Sequence, residues 1–360
     1  MQVLKAKRAT YAKIDLKRYL QNLIYIKGKA KSDVIAILKA DGYGHGAVPL
    51  AKFLSANNVT DTYAVATIEE ALALKKVLKD SAKIIVLGYV DPVFFNDVVK
   101  NKLILTIYDF EIAKRYQQFL KNKNIKMPII LKIDTGMNRL GFKVELNYFA
   151  FATNFNLFDI KMVLTHLASS DEDIEYTNYQ LMLFDEFIKK YHITSASAFN
   201  SSAIFKLNNK YQYVRPGIAS FGYVYGCRIN ELKHVMSLHS KIVHVKKINK
   251  GETVSYNRKF KAIKNMTAGV LPVGYADGYP RAFTNKAYTF LGDYKCDLLG
   301  TVCMDMIMID ITDVPESMYD KEVELLGDRV SGYEWGKWGD TIVYEHLCGI
   351  SSRIPRIYVS

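Results

Sequence analysis

A lysine and a glycine-rich turn follow the first strongly apolar segment of the chain. Lys39 comes directly after the apolar run at 34–38, and residues 40–46 include three glycines and Tyr43. Desolvation at the rim of an apolar core lowers the pKa of a lysine and makes its amine a usable nucleophile. Glycines let the backbone approach a ligand, and a tyrosine hydroxyl can donate to it. The segment 39–46 predicts a nucleophilic lysine beside a ligand site or, on spacing alone, an ordinary exposed lysine at a strand end.

The elements that would position Lys39 are short apolar runs bounded by turn residues. Continuous apolar runs are typical of strands buried on both faces. Eight of them precede residue 220, at 34–38, 62–66, 83–88, 103–107, 128–133, 160–165, 195–199 and 213–219. Helix-like segments lie between them, so the order predicts a (β/α)8 barrel, whose active sites lie at the carboxyl ends of the strands.

Three of the intervening segments carry clear helix signals. Thr67 and Glu70 form a capping-box pattern that opens a helix to about residue 78. Asp109 can cap a helix to about residue 120. The segment 176–191 is amphipathic, with an apolar stripe of Leu181, Phe184, Phe187 and Ile188.

Beyond about residue 230 the pattern changes to strand-like runs joined by Gly, Asp and Pro turns. These runs lie at 240–248, 268–273, 306–311 and 340–344. We therefore predict an α/β chain with a barrel over 10–228, followed by a mainly β C-terminal domain built from 1–9 and 229–360.

The composition fits a globular chain of two domains. The chain has 360 residues, of which 49% are hydrophobic, and a formal net charge of +13. The basic residues are spread along the chain without a dense block, so we expect a lysine-rich surface that favours small anionic ligands, and no nucleic-acid binding.

Two further sequence features concern the setting of the protein. No apolar stretch is long enough to span a membrane and no apolar leader segment is evident at the N-terminus, so we expect no membrane association. The four cysteines show no C-x-x-C spacing, which favours a reducing, cytoplasmic setting and argues against a metal site.

The segment 39–46 (KADGYGHG) closely resembles the cofactor-lysine motif of alanine racemases, which are pyridoxal-phosphate-dependent amino-acid racemases. The likeness continues in family order almost to the end of the chain. Its further blocks are 131–141 (LKIDTGMNRLG), 165–168 (THLA), 200–201 (NS), 215–218 (RPGI), 254–256 (VSY), 272–281 (PVGYADGYPR), 302–305 (VCMD), 344–345 (YE) and 353–356 (RIPR).

The resemblance implies two opposed bases acting on an amino acid bound to pyridoxal 5'-phosphate. Lys39 would form the aldimine with the cofactor and serve the D-isomer, and Tyr256 would serve the L-isomer from the other face. Two bases are needed because one base cannot easily reach both faces of Cα. From the residue types alone, Tyr256 would be a packing or loop tyrosine, because the chain contains 25 tyrosines.

The resemblance also assigns contacts to the cofactor. Arg215 would face the pyridine nitrogen as a permanent donor, which makes the ring a weaker electron sink. His166 would join Arg215 in a hydrogen-bonded network near Tyr256. Contacts to the phosphate are implied for Tyr43, Ser201, Gly217, Ile218 and Tyr344. Taken alone, Ser201 could instead be a helix N-cap.

The remaining implied roles concern the substrate and the assembly. Arg139 would bind the substrate carboxylate, held by Lys132, which in this family is often carbamylated. Cys303, Met304 and Asp305 would form a substrate-side loop supplied by a partner subunit in a homodimer. Positions along the substrate-access corridor are implied for Asp171, Tyr275 and Arg281.

The resulting hypothesis is a cytoplasmic bacterial isomerase that interconverts L-alanine and D-alanine for peptidoglycan and cell-wall biogenesis. A serine or broad-specificity racemase is the alternative, because a pocket distinguishes one extra group by only about 1–3 kcal/mol. A pyridoxal phosphate carrier protein of the same barrel type is the non-enzyme alternative, but carriers resemble the barrel half alone. A related decarboxylase is a further alternative, but the blocks of the C-terminal domain resemble those of the racemases.

Overall fold

The computed structural model describes residues 8–360, which form two compact units. The barrel unit comprises Tyr19–Gly42 and Ala47–Lys233, and the β unit comprises residues 8–18, Tyr43–Gly46 and His234–Ser360. The division falls at 233/234, where we predicted 228/229. Residues 1–7 of the predicted segment 1–9 lie outside the described residues.

The barrel is a closed ring of parallel strands, as predicted from the eight apolar runs. The first strand runs as Asp33–Val34 and Ala36–Ile37; its first half pairs with the last strand and its second half with the next strand along the chain. This shared strand closes the ring. The other strands are Thr62–Val65, Lys83–Val86, Ile104–Ile107, Met127–Asp134, Phe158–Leu164, Ala196–Ser197 and Tyr213–Val214, and the short Phe142–Lys143 pairs beside Met127–Asp134.

Helices alternate with these strands, and two of the helices begin at the predicted capping residues. Thr67 and Glu70 form the complete capping box of the helix Ile68–Leu78. Asp109 accepts from the Ile112 amide at 2.8 Å and begins the helix Phe110–Lys123. The other helices are Leu16–Ala30, which enters this unit from residue 19, Ala47–Ala56, Phe95–Lys100, Tyr148–Asn154, Ile174–Lys190 and Ser201–Lys206.

The β unit contains three sheets among the described residues. A six-stranded sheet has the order Tyr294–Asp297, Tyr288–Leu291, Glu322–Leu326, Met236–Lys241, Tyr11–Asp15 and Arg356–Val359. A three-stranded sheet contains His244–Ile248, Met266–Leu271 and Ile307–Asp310, and a hairpin contains Thr253–Val254 and Phe260–Lys261. The predicted start of the barrel at residue 10 does not match this arrangement, because Tyr11–Asp15 pairs with strands of the β unit.

Two expectations for the β unit need correction. The run 240–248, predicted as one strand, is divided between Met236–Lys241 and His244–Ile248, which belong to different sheets. The strand predicted at 340–344 is wrong: this segment joins the helices Gly332–Gly339 and Val343–Gly349. Asp340, with φ of 53°, ends the first helix. The second helix then buries Val343, His346 and Leu347 at helical spacing.

Among residues 8–360, no helix has the length and apolar character needed to cross a membrane.

Candidate active site

Lys39 stands at the carboxyl end of the first barrel strand, at the start of a left-handed turn. Leu38 is fully buried, whereas the Lys39 side chain is exposed. Ala40, Asp41 and Gly42 follow with φ of 53°, 49° and 63°. A left-handed conformation costs roughly 1–2 kcal/mol for a residue other than glycine. Lys39 therefore ends the apolar run as predicted, but in the single chain it is exposed rather than desolvated, because the backbone leaves the strand directly after Leu38.

Hydrogen bonds within the barrel unit hold this turn. The Gly42 amide donates to the Leu38 carbonyl at 2.9 Å. The Asp41 carboxylate accepts from the Ala47 amide at 2.8 Å, and the Asp41 amide donates to Glu70 Oε1 at 3.3 Å. The sequence marked Glu70 only as a helix cap, so its contact with the turn after Lys39 was not anticipated.

Lys132 is a buried lysine near the carboxyl end of its barrel strand. It lies on Met127–Asp134 with 8% of its surface exposed. Burial, together with the positive charges of Arg139 and Arg215, lowers the pKa of Lys132 to about 8. Arg139 is exposed and follows a loop that Asp134 organises by accepting from the Gly136 and Asn138 amides, both at 3.0 Å.

Arg215 and His166 lie at the ends of two other strands. The buried Arg215 guanidinium donates to the Thr165 carbonyl at 2.5 Å, to the Ala198 carbonyl at 3.3 Å and to Ser197 Oγ. Burial lowers the pKa of Arg215 to about 10, so it stays protonated at neutral pH. Among the described residues its donors thus reach the residue before His166 rather than the imidazole itself.

The pKa of His166 reflects burial and the positive charges at this end of the barrel. Burial and the charges of Arg215 and other cations lower the pKa of His166 to about 3. The imidazole is therefore neutral at physiological pH. The cations that act on it are Arg215, Lys132, Arg139 and Lys39. This concentration of positive charge suits an anionic ligand.

Ser201 is hydrogen-bonded to Gly217, with Ile218 next along the chain, and the Ser201 hydroxyl still has a hydrogen to donate. Ser201 Oγ accepts from the Gly217 and Ala219 amides at 3.0 and 3.1 Å. A hydroxyl that accepts two hydrogen bonds still has its O–H to donate, for example to a phosphate oxygen. The helix N-cap is Asn200, whose side chain accepts from the Ala203 amide, so the alternative that Ser201 is that cap is wrong.

Gln180 is a second residue that sequence reasoning did not single out. It is fully buried on Ile174–Lys190. Its Oε1 accepts from the Ala168 amide at 2.8 Å, and its Nε2 donates to the His166 carbonyl at 3.3 Å and to Thr135 Oγ1 at 3.4 Å. The signal was available, because a polar residue on the buried stripe of an amphipathic helix requires partners. Asp171 lies in the same loop as Ala168, where its carbonyl accepts from Lys206 Nζ.

Within the β unit, the structure places Tyr43 next to Tyr344. Their ring centroids are 6.0 Å apart with the planes tilted by 53°. Burial, and to a lesser degree Cys348, raises the pKa of Tyr43. Its phenol is therefore a neutral hydroxyl at physiological pH. Both tyrosines implied as phosphate contacts thus belong to one aromatic pair.

Tyr256 projects from a tight loop and is 66% exposed. The Ser255 hydroxyl donates to the Thr301 carbonyl at 2.6 Å, and Thr301 Oγ1 donates to the Tyr256 carbonyl at 2.8 Å. Ser255 Oγ also lies 3.3 Å from Cys303 Sγ. The loop that carries Tyr256 is therefore fixed to the segment that carries Cys303.

The segment 303–305 is joined in turn to Tyr275. The Tyr275 amide donates to the Cys303 carbonyl at 3.0 Å, and the neighbouring Ala276 amide donates to the Met304 carbonyl at 3.0 Å. Gly274 permits this approach, since a Cβ there would lie 2.3 Å from both carbonyl oxygens. Tyr275 and Met304 are 43% and 52% exposed.

Asp305 and Arg281 belong to the same unit as Tyr256. The Asp305 carboxylate pairs with Arg353 at 2.7 Å. Arg281 is exposed at the start of the turn Arg281–Phe283, and its carbonyl accepts from Thr284 Oγ1 at 2.7 Å. Their substrate-side and corridor roles remain predictions.

Comparisons with known proteins point to one family over nearly the whole chain. A family model described as "Alanine racemase, N-terminal domain" matches residues 14–224, and one described as "Alanine racemase, C-terminal domain" matches 235–358. The chain belongs to the alanine racemase family. Alanine racemase 1 of Clostridium acetobutylicum is 35% identical over 372 residues, covering 98% of this chain and 96% of that protein. The family resemblance in the sequence is thus confirmed.

Solved structures of alanine racemases share the fold. The enzyme of Clostridium difficile 630 has a TM-score of 0.91 at 32% identity, covering 99% of this chain and 97% of that one. The Bartonella henselae alanine racemase, described with covalently bound pyridoxal phosphate, has a TM-score of 0.90 at 30% identity and covers 98% and 99%. The predicted combination of a (β/α)8 barrel with a mainly β domain is confirmed.

Proposed function

We propose that this protein is an alanine racemase, an isomerase that interconverts L-alanine and D-alanine with pyridoxal 5'-phosphate. The observation that carries the proposal is the match to both family domains along the chain, together with the cationic end of the barrel unit formed around His166. The charges there suit both a phosphate-bearing cofactor and a substrate carboxylate.

The donor groups fit pyridoxal phosphate. Lys39 would hold the cofactor covalently, and Arg215 would donate to its pyridine nitrogen beside the neutral His166. Contacts to its phosphate are assigned to Ser201 Oγ–H, the backbone at Gly217 and Ile218, and the hydroxyls of Tyr43 and Tyr344. When bound, the cofactor makes the Cα–H bond of an attached amino acid acidic.

The chain itself supplies the two bases. Lys39 Nζ would remove or return the Cα proton on the face that serves the D-isomer, and the Tyr256 hydroxyl would do so on the opposite face. Arg139 would orient the substrate carboxylate through two parallel hydrogen bonds. A fixed carboxylate keeps Cα between the two bases, which proton transfer on both faces requires.

We propose a homodimer with shared sites, and the exposure of Tyr256 supports this proposal. Large apolar side chains at the surface of a chain mark contact regions when they cluster. Tyr256, Tyr275 and Met304 are exposed on segments joined by hydrogen bonds, and Cys303 and Asp305 belong to the same segments. We propose that this surface completes the site of a partner subunit. Asp171 and Arg281 would lie along the access corridor.

Lys132 is proposed to be carbamylated, which turns a buried cation into an anion beside Arg139. The neutral amine would attack the carbon of carbon dioxide and form an N–C bond while one C=O π bond opens onto its oxygen, and the nitrogen would then release a proton to solvent. Its lowered pKa supports the step, because about half of the amine is neutral near pH 8.

The biological role we propose is cytoplasmic supply of D-alanine for peptidoglycan. The four cysteines are free, which suits a reducing compartment. We further propose that the protein acts without nucleic acid or a metal.

The function is tested with L-alanine in deuterium oxide, with serine as the comparison substrate. We expect D-alanine and deuterium at Cα to form together, at a rate about 10–200-fold above that with serine. Lys39→Ala should lower the rate by on the order of 10³-fold or more. Faster turnover of serine would favour the broad-specificity racemase. Cofactor binding without exchange of either amino acid would favour a carrier protein.

A further inference from the structure

Glu70 joins the helix that follows the second barrel strand to the turn that follows the first. Glu70 Oε2 accepts from the Ala66 and Thr67 amides at 2.9 and 3.2 Å, and Oε1 accepts from the Asp41 amide at 3.3 Å. We propose that Glu70 is a positioning residue that fixes the left-handed turn carrying Lys39, in addition to capping its own helix. The proposal rests on the function assigned to Lys39.

The strand register explains how Glu70 reaches the turn. Ala36–Ile37 and Thr62–Val65 are parallel neighbours, with Ala36 opposite Tyr63, and the Leu38 amide donates to the Ala64 carbonyl at 2.8 Å. Both strands therefore end at the same edge of the barrel. A residue in the first turn of the helix after the second strand can consequently reach the backbone after the first.

The turn needs such a fixed acceptor because its backbone is strained. Ala40 and Asp41 are left-handed without being glycine, and such conformations persist only where the surroundings enforce them. Two further bonds of the turn run from the Gly42 amide to the Leu38 carbonyl and from the Ala47 amide to the Asp41 carboxylate. Glu70 supplies the acceptor for the Asp41 amide, two residues from Lys39.

The two carboxylate oxygens of Glu70 have separate tasks. Oε2 belongs to the capping box, whereas Oε1 serves the turn. A carboxylate accepts at both oxygens, but an amide of the same shape must present a donor at one of them. Glu70→Gln therefore loses either the capping bonds or the bond to the turn, because its NH₂ group replaces one accepting oxygen and meets a backbone amide that also donates. Thr67→Ala removes the bond from the Glu70 amide to Thr67 Oγ1 and leaves the Asp41 contact in place.

The experiment compares these two variants of one capping box. Amide hydrogen exchange of the peptide spanning 39–46 is measured in the cofactor-free protein, and kcat and KM for L-alanine are measured in the loaded enzyme. We expect faster exchange at 39–46 and a kcat about 10–100-fold lower in Glu70→Gln, with KM little changed. Thr67→Ala should match the wild type in both, although its helix start is weakened.

The two measurements separate this proposal from the assignment of Lys39. Equal exchange at 39–46 in both variants would overturn the positioning role, whatever the activities are. If exchange rises only in Glu70→Gln and the wild type does not racemise alanine, Glu70 fixes the turn and the function proposed for Lys39 fails instead. If exchange rises and kcat matches the wild type, the positioning proposal is also overturned, because the turn then does not limit the chemistry.

Discussion

Lys39 and Lys132 are two lysines at the carboxyl ends of strands in one barrel, and their surroundings give them opposite properties. Lys39 is exposed at the start of a turn, whereas Lys132 points into a buried region where other cations act on it. The sequence could not distinguish them by burial, because each follows a run of apolar residues. Only the left-handed turn after Leu38 separates the two cases, and Glu70, on the helix that follows the next strand, accepts a hydrogen bond from that turn.

Carbamylation of Lys132 should depend on pH with a definite sign. Its pKa is lowered to about 8, so the amine is mostly neutral above pH 8 and mostly an unreactive ammonium below it. With ¹³C-labelled bicarbonate at fixed dissolved carbon dioxide, we expect a carbamate signal in the ¹³C NMR spectrum at pH 9 that fades as the pH falls below 8.

Lys75 offers a matched control for this measurement. It is equally buried, but its Nζ donates to the Ala82 carbonyl at 3.0 Å. The signal should vanish in Lys132→Gln and persist in Lys75→Gln. A signal that survives in Lys132→Gln, or none in the wild type at pH 9, would refute carbamylation at this residue.

At the scale of elements, the sequence predicted the barrel better than the β unit. Strands buried on both faces leave a strong local signal, and Thr67, Glu70 and Asp109 mark helix starts through contacts within a few residues. The β unit depends on distant pairings, such as Tyr11–Asp15 with Arg356–Val359, which no local pattern reveals. The β-branched and aromatic residues at 341–344 suggested a strand, although burial of Val343, His346 and Leu347 follows helical spacing.

Asp277 joins separate segments of the β unit, and its replacement should lower the stability of the protein. Its side chain is fully buried, and its two oxygens accept from Arg8 at 2.6 and 2.7 Å and from the Gly274 amide at 3.1 Å. Arg353, which pairs with Asp305, lies 3.5 Å from the same carboxylate. We expect Asp277→Asn to lower the free energy of unfolding by about 2–4 kcal/mol, since it leaves a part-buried cation unpaired.

The exposed pair of Arg18 and Asp328 provides the control. It has the same two-pronged geometry at 2.8 and 2.9 Å, but the Asp328 side chain is 61% exposed. Asp328→Asn should therefore change the stability by less than about 1 kcal/mol. Urea unfolding followed by circular dichroism measures both variants. Equal midpoints for the two would contradict the role given to Asp277.

At the scale of the whole molecule, the residues assigned to the reaction are divided between the two units. Lys39, Arg139, His166 and Arg215 belong to the barrel unit, and Tyr256 and the segment 303–305 belong to the β unit. Family order predicted every one of these positions from the sequence. It could not predict that Tyr256 is exposed, because exposure depends on the loop that Ser255 and Thr301 fix from separate parts of the chain.

The central claim is that Lys39 of one subunit and Tyr256 of its partner act on the same substrate. Lys39→Ala and Tyr256→Phe are produced with different affinity tags, and the mixed dimer is isolated through both tags after co-expression. Each variant alone should be inactive, because each lacks one base in every site. The mixed dimer contains one site with both bases intact, so it should racemise L-alanine at about half the wild-type rate. A mixed dimer as inactive as its parents would contradict the shared site and place both bases within one chain.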